Sequence, residues 1–320
     1  MRRDASHAGS WYTADAQQLD EELDDYLKNA AQEAQEGLPI KGVRAIIGPH
    51  AGFRYSGPTA AFAYKSIDTT NIKRVFILGP SHHAYLPGCA LSMCDVYQTP
   101  LGDLHLDKAV IKELEETGEF KYMRQTVDED EHSIEMHLPF VYKIFENTAN
   151  LKVVPILVGA TSQATEKRYG ELLAKYLENP ENFFIISSDF CHWGARFRYT
   201  YYTKSSEDNR PLFLTSANKS EIERPIYQSI EELDHQAIDV LEDVSFSKFQ
   251  EYLKATDNTI CGRHPISVLL AALEKLRVKD EFSNQTLKCM RYEQSSRCKR
   301  YEDSSVSYAS IYVKILAPES

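Results

Sequence analysis

Val43-Arg44-Ala45-Ile46-Ile47-Gly48-Pro49-His50-Ala51-Gly52 reads as a buried strand that runs straight into a glycine-proline turn carrying an imidazole. The same design recurs at Arg74-Val75-Phe76-Ile77-Leu78-Gly79-Pro80-Ser81-His82-His83. A third apolar run, Phe183-Phe184-Ile185-Ile186-Ser187, leads into Ser188-Asp189-Phe190-Cys191-His192-Trp193. Near-continuous apolar runs of this kind fit strands covered on both faces, as in parallel sheets. Parallel strands deliver their C-terminal ends to one edge, where open α/β sheets bind ligands. A fourth segment, Asn258–Pro265, sets a thiol and a histidine ahead of a helical pattern. Imidazole and thiol donors gathered this way resemble a metal site assembled from distant parts of one chain.

Outward from these runs, strands and helices alternate. The spacing predicts helices over 17–28, 59–67, 106–117, 165–177, 227–243, 246–255 and 265–277. Strands are expected at 43–47, 73–78, 152–158 and 183–187, with β character returning in TLKCMRY and VSYASIYVKIL. Residues 88–100 read as a further strand or an antiparallel excursion. Pro139 breaks the helical pattern of 132–146, and Pro155 marks 152–158 as an edge strand or a bulge. Residues 203–222 lack periodicity and read as a surface insertion. The expected fold class is α/β: a central mixed, largely parallel sheet flanked by helices, in one domain spanning 1–320.

The 47 acidic residues outnumber the 36 basic ones, for a net charge of −11, which argues against a nucleic-acid binder. No apolar run approaches the ~18–20 residues of a membrane span, and the polar opening MRRDASHAGS offers no secretory signal. The six cysteines contain no CxxC pair, so free thiols are expected rather than a disulfide framework. The expected compartment is the cytoplasm, with the nucleus as a second one.

Each candidate has a plain alternative. His50 alone could be a loop histidine; the repeat of strand, Gly-Pro turn and histidine favours function. Adjacent side chains in an extended turn point apart, so only one of His82 and His83 can face a given centre. Asp189 could hold the tautomer of His192 across a turn, or serve only as a helix cap. Cys261 lies close to a helix start, where a thiolate is stabilised, although most cysteines are buried and inert. His132 and Glu135 share one helix face and suit a charged helix start, with support of a neighbouring site as second choice. Arg196 and Arg198 follow the His192 turn among aromatics and could hold a phosphate or carboxylate, or simply be solvated. No HExxH, P-loop, GxSxG or dinucleotide fingerprint occurs.

SHAGSWY (6–12), PHAG (49–52), FILGPSHH (76–83), DEDEHSIEMHLPF (128–140), SSDFCHWG (187–194), NTICGRHPI (258–266) and DSSVSYAS (303–310) together closely resemble the MEMO family, mediator of cell motility proteins. The resemblance implies the fold of class III non-haem iron extradiol dioxygenases. It also implies metal ligands at His50, His82 and Cys261, with Asp189 and His192 lining the same pocket and Trp11 and Tyr55 at its rim. Those dioxygenases use two histidines and a carboxylate; a cysteine in the third place softens the site, so iron or copper is expected and zinc also fits.

Two functions follow as expectations. One is a redox metalloprotein, oxidase- or dioxygenase-like if enzymatic, in which His192 oriented by Asp189 moves protons. The other is a signalling adaptor, tied to motility and the cytoskeleton, whose pocket takes a phosphotyrosine peptide through Arg196 or Arg198.

Overall fold

The computed structural model describes residues 1–205 and 210–316. Four parallel strands, Val43–Gly48, Arg74–Pro80, Lys152–Val158 and Asn182–Ser187, form the centre of a twelve-stranded mixed sheet. Their order is 152–158, 74–80, 182–187, 43–48. The long C-terminal strand Ser305–Leu316 lies antiparallel to Val43–Gly48, and Asn284–Gln294 pairs antiparallel beyond it. Every residue of 182–187 is buried, as expected for a strand covered on both faces. The fold is therefore α/β, with a large mixed sheet.

Helices Gln163–Glu178 and Arg263–Arg277 pack on each other and on the central strands. Helices Ala16–Glu33 and Phe53–Lys65 form a second pair, set against Val43–Gly48 and the C-terminal strands. Ala16–Glu33 turns Leu19, Leu23 and Leu27 inward, the four-residue recurrence that puts side chains on one helix face. Among the described residues, no helix is long and apolar enough to cross a membrane.

Register decides what the sheet edge presents. Gly48 pairs with Ser187, and Ile186 with Leu78 on the neighbouring strand. The turns after all three strands, carrying His50, His82 and Asp189, thus leave the sheet side by side. Two glycines let other segments close over this edge. A Cβ on Gly79 would lie 2.5 Å from Ser133 Oγ, and one on Gly262 would lie 2.3 Å from Ser188 Cβ. The first brings 131–135 to the His82 turn; the second brings Cys261 to the Asp189 turn.

Several sequence expectations are corrected. Lys152–Val158 is an interior strand, not an edge: Arg74–Pro80 pairs along one side, and two short strands share the other. Gly102–Leu106 pairs as far as Val153 and Cys89–Leu91 begins at Ile156. Pro155 falls in the gap between them, a position with no ladder partner on that side. The helix expected from residue 59 begins at Phe53 and runs through Pro58; its first N–H donates to the carbonyl of Trp11 at 3.0 Å. The pattern at 132–146 divides into His132–Glu135 and Leu138–Ile144, with Pro139 in the second helix's first turn, where its missing N–H costs nothing. In the expected insertion, Leu212–Phe213 pairs with Tyr201–Tyr202 and Leu214 is buried; residues 206–209 lie outside the described residues.

The N-terminal segment is pinned to 128–135 by Arg3, which is fully buried. Its guanidinium donates to Asp128 Oδ1 at 3.0 Å, to the Asp128 and Glu131 carbonyls at 2.9 and 3.0 Å, and pairs with Glu135 Oε2 at 2.8 Å. Removing one member of a buried ion pair strands the other charge and costs about 3–5 kcal/mol. Arg3→Ala is therefore expected to lose about that much in chemical denaturation; a loss below about 1 kcal/mol would match a surface ion pair instead.

Candidate metal centre

The ligand atoms of His50, His82 and Cys261 all lie within 4.8 Å of one another, although the three residues come from separate turns. Cys261 Sγ lies 3.2 Å from His50 Nε2. A cation held ~2.0–2.3 Å from each donor in tetrahedral geometry needs them roughly 3.5 Å apart, so donors already within 4.8 Å of one another need only draw together for the set to close.

The hydrogen bonds fix which nitrogen each imidazole offers. His50 Nδ1 lies 2.6 Å from Ser187 Oγ, whose own proton goes to the Ser133 carbonyl at 2.7 Å. The hydroxyl can therefore only accept from Nδ1–H, which leaves Nε2 as a lone pair facing Cys261. His82 Nδ1 lies 2.8 Å from Glu131 Oε1, and its backbone N–H donates to Oε2 at 2.6 Å. A carboxylate behind the imidazole holds the ring and raises its basicity. His192 Nδ1 faces the carbonyls of Phe190 at 2.9 Å and Thr259 at 3.2 Å. Carbonyls only accept, so its Nδ1 also carries the proton.

His50 is buried, and burial, followed by the neighbouring imidazoles, lowers its pKa well below the usual value. It stays neutral, the form that can ligate. Burial, then the charge of Asp189, pushes the Cys261 thiol up. This reverses the expectation of a helix-stabilised thiolate: the helix N-cap is Gly262, yet a desolvated sulfur 3.3 Å from the Asp189 amide beside a carboxylate feels burial most. Asp189 is itself buried; burial raises its carboxyl against the opposing pull of His192 and the His50 N–H donated at 2.8 Å.

Other expected residues take different places. Asp189 accepts from the His50 backbone rather than orienting the His192 ring, because the two carbonyls already occupy His192 Nδ1. Of the adjacent pair, His82 turns to the centre, while His83 lies 5.9 Å from His132, ring to ring. His132 is stacked between the rings of His82 at 4.4 Å and Trp11 at 4.3 Å. Burial, then the His82 charge, hold His132 down to about 3. Glu135 faces away from His82: its carboxylate pairs with Arg3, accepts from Tyr12 at 2.8 Å and holds His7 Nδ1 at 2.8 Å. Trp11 and Tyr55 are both exposed. Arg196 stacks on Phe197 at 4.4 Å, whereas Arg198, in a left-handed conformation, lines a separate cavity beside His264.

Four contributors escaped sequence reasoning. Glu131 and Ser187 hold the rings of His82 and His50, and Thr259 Oγ1 accepts the His192 backbone N–H at 2.8 Å. Tyr308, buried on the C-terminal strand, has a phenol raised by burial first and then by Asp189, with Tyr55 and Arg196 also acting on it. Glu131 lay beside two singled-out residues, and Ser187 closed a strand already read; those were the available signals.

Two measurements check this geometry. Long-range ¹H–¹⁵N spectra of metal-free protein are expected to show the Nδ1–H tautomer at His50, His82 and His192; an Nε2–H tautomer at His50 would contradict it. Burial alone would raise the Glu135 carboxyl, but the His7 hydrogen bond and the Arg3 charge hold it down from 4.5 to about 2. A depressed folded-state pKa adds stability that is present above the unfolded value, here 4.5, and is lost as pH falls through about 2. Glu135→Gln should therefore flatten the acid limb of the stability profile in that window, and an unchanged limb would refute the assignment.

The sequence profile of the family described as Memo-like protein matches residues 3–312. Protein MEMO1 of Danio rerio is 49% identical over 309 residues, covering 96% of both chains. Protein MEMO1 of Xenopus tropicalis is 48% identical and that of Homo sapiens 46%, at the same coverage. A match over nearly the whole length, at this identity, means that the chain belongs to the Memo-like protein family.

Proposed function

We propose that this protein is a redox metalloprotein that binds iron or copper through His50 Nε2, His82 Nε2 and Cys261 Sγ, in a pocket of the class III extradiol-dioxygenase type. The observation that carries this reading is the mutual approach of the three donors within 4.8 Å, with the Nδ1 protons of both imidazoles already committed to Ser187 and Glu131. Two borderline nitrogens and one soft sulfur suit iron or copper, and the same set also accommodates zinc. A bound iron or copper would supply a one-electron centre with positions open to O₂ or a small reductant.

The protein's own part is positioning and proton handling. Ser187 and Glu131 keep the imidazole lone pairs aimed at one point. Because burial and Asp189 favour the protonated thiol, ligation through Cys261 must release its proton, so affinity is expected to rise with pH. His192, with Nδ1 held by two carbonyls, presents Nε2 as a proton donor or acceptor beside Asp189.

A second reading, a signalling adaptor that takes a phosphotyrosine peptide at this pocket, draws on Tyr308, whose phenol feels the charges of Asp189, Tyr55 and Arg196. Titrating a phosphopeptide with and without metal separates the readings: competition indicates one shared pocket.

Protein purified anaerobically under reducing conditions is expected to carry about one iron or copper per chain. Cys261→Ser should lose at least nine-tenths of it with an unchanged circular dichroism spectrum. Full retention of metal by that variant would reject the ligand set.

A further inference from the structure

Cys261 and the turn leading to His192 lie on irregular chain, residues 257–262 and 188–191. The two stretches hold each other. Thr259 Oγ1 accepts the His192 backbone N–H at 2.8 Å, Ser188 Oγ accepts the Gly262 N–H at 3.0 Å, and Cys261 Sγ accepts the Asp189 N–H at 3.3 Å. Irregular chain at a buried site keeps its shape where its polar groups find fixed partners. On the sheet side, the Ser188 N–H donates to the Gly48 carbonyl at 2.9 Å and the Phe190 N–H to the Ser307 carbonyl at 2.8 Å.

One buried side chain from outside the centre reaches both stretches. Asp234, on helix Ile226–Glu242, has no exposed surface. Its Oδ1 accepts the Cys191 N–H at 3.2 Å and Asn258 Nδ2 at 3.0 Å. Its Oδ2 accepts the Tyr292 hydroxyl at 2.9 Å, from the strand Asn284–Gln294 against which the helix packs. An ionised carboxylate is acceptor-only, so a single oxygen can take two N–H groups at once. Those two come from the chain between Asp189 and His192 and from the residue three before Cys261, so neither stretch can move without disturbing the other. A buried carboxylate is costly unless its oxygens are matched. Burial pushes the Asp234 carboxyl up, and the donors of Ser307, Asn258, Tyr292 and Cys191 pull against it.

We propose that Asp234 is a positioning residue for the candidate metal centre. Its Oδ1 ties the Asp189–His192 turn and the Asn258–Cys261 segment to one point. That shared anchor sets Cys261 Sγ against His50 Nε2, 3.2 Å away, and His192 Nδ1 against the Phe190 and Thr259 carbonyls. The importance of this geometry for metal rests on the ligand set proposed above; the geometry itself belongs to the metal-free protein and is tested there.

Asp234→Leu fills a similar space without an acceptor. Asp234→Asn keeps one oxygen for both N–H groups, and the Tyr292 hydroxyl can turn to Ser307 Oγ, 3.2 Å away, to receive the new amide. Leu23→Ala, in the buried face of the first helix, serves as a destabilised control that touches neither stretch. In metal-free protein, Asp234→Leu is expected to lose the single Nδ1–H tautomer of His192 in long-range ¹H–¹⁵N spectra. Iodoacetamide should alkylate its half-buried Cys261, followed by peptide mass, several times faster. Asp234→Asn should match the unmodified protein in both readouts, and Leu23→Ala should move neither. With metal, Asp234→Leu should bind copper about tenfold more weakly and Asp234→Asn as tightly as the unmodified protein. If Asp234→Leu does not fold, Asn258→Leu cuts only the bond to the Cys261 segment and should still speed alkylation there. An unchanged tautomer and alkylation rate in Asp234→Leu, an unchanged rate in Asn258→Leu, equal changes in Leu23→Ala, or failure of Asp234→Asn to restore them would each overturn the proposal. The metal-free changes without copper binding by any variant, the unmodified protein included, would instead reject the ligand set and leave the positioning role standing.

Discussion

A neutral imidazole has one proton, and around the candidate centre that proton is already committed. Ser187 can only accept from His50, because its hydroxyl hydrogen is bound to the Ser133 carbonyl. Glu131 can only accept from His82, and the carbonyls of Phe190 and Thr259 only from His192. Each ring is left with Nε2 as its free atom, and two of these, from His50 and His82, meet one sulfur. The rest of the arrangement follows from holding these partners in place. The parallel strands bring Gly48, Ser187 and Leu78 into neighbouring register, and Gly79 and Gly262 admit the segments that bear Ser133 and Cys261.

Burial strengthens this constraint. At His50, with little water to exchange protons or donate substitute hydrogen bonds, a fixed tautomer persists, because breaking it leaves a desolvated polar atom unmatched; His82, by contrast, is exposed and relies on Glu131 alone. His132 shows how far the protein goes to keep charge low here. Its ring is packed between His82 and Trp11, with Nδ1 making no hydrogen bond though 3.5 Å from Glu131 Oε1, and burial outweighs that carboxylate to favour the neutral ring. The thiol of Cys261 is likewise kept protonated by burial and by Asp189. A cation entering such a site would meet oriented lone pairs and would have to displace only one proton.

What the sequence disclosed was whatever local spacing encodes. Apolar runs ending in Gly-Pro-His and Gly-Pro-Ser-His announced both covered strands and the edge at which His50 and His82 emerge. The C-terminal strands were equally legible, since their aromatic and β-branched content is local. The supporting shell was not. Sharing a helix face with His132 made Glu135 look like the partner of the site, but the helix starts at His132. Glu131, its N-cap, stands outside the regular turn, where its carboxylate accepts the Ser133 N–H at 2.9 Å and also reaches His82. Glu135 instead meets Arg3, His7 and Tyr12, residues more than 120 positions away, a pairing no spacing reveals. Pro155 misled for a related reason: a proline argues for an edge only where both sides of the strand need a continuous partner, and here two short strands leave a gap. Arg196 and Arg198, two residues apart, part company because Arg198 takes a left-handed turn.

The most direct measurement is X-ray absorption at the iron or copper edge of protein loaded anaerobically with that metal. One sulfur scatterer near 2.3 Å and two imidazole nitrogens near 2.0–2.1 Å are expected, approximate distances for these donor types, with the sulfur shell lost in Cys261→Ser. A first shell made only of nitrogen and oxygen, unchanged in that variant, would contradict the convergence of His50, His82 and Cys261 on one ion.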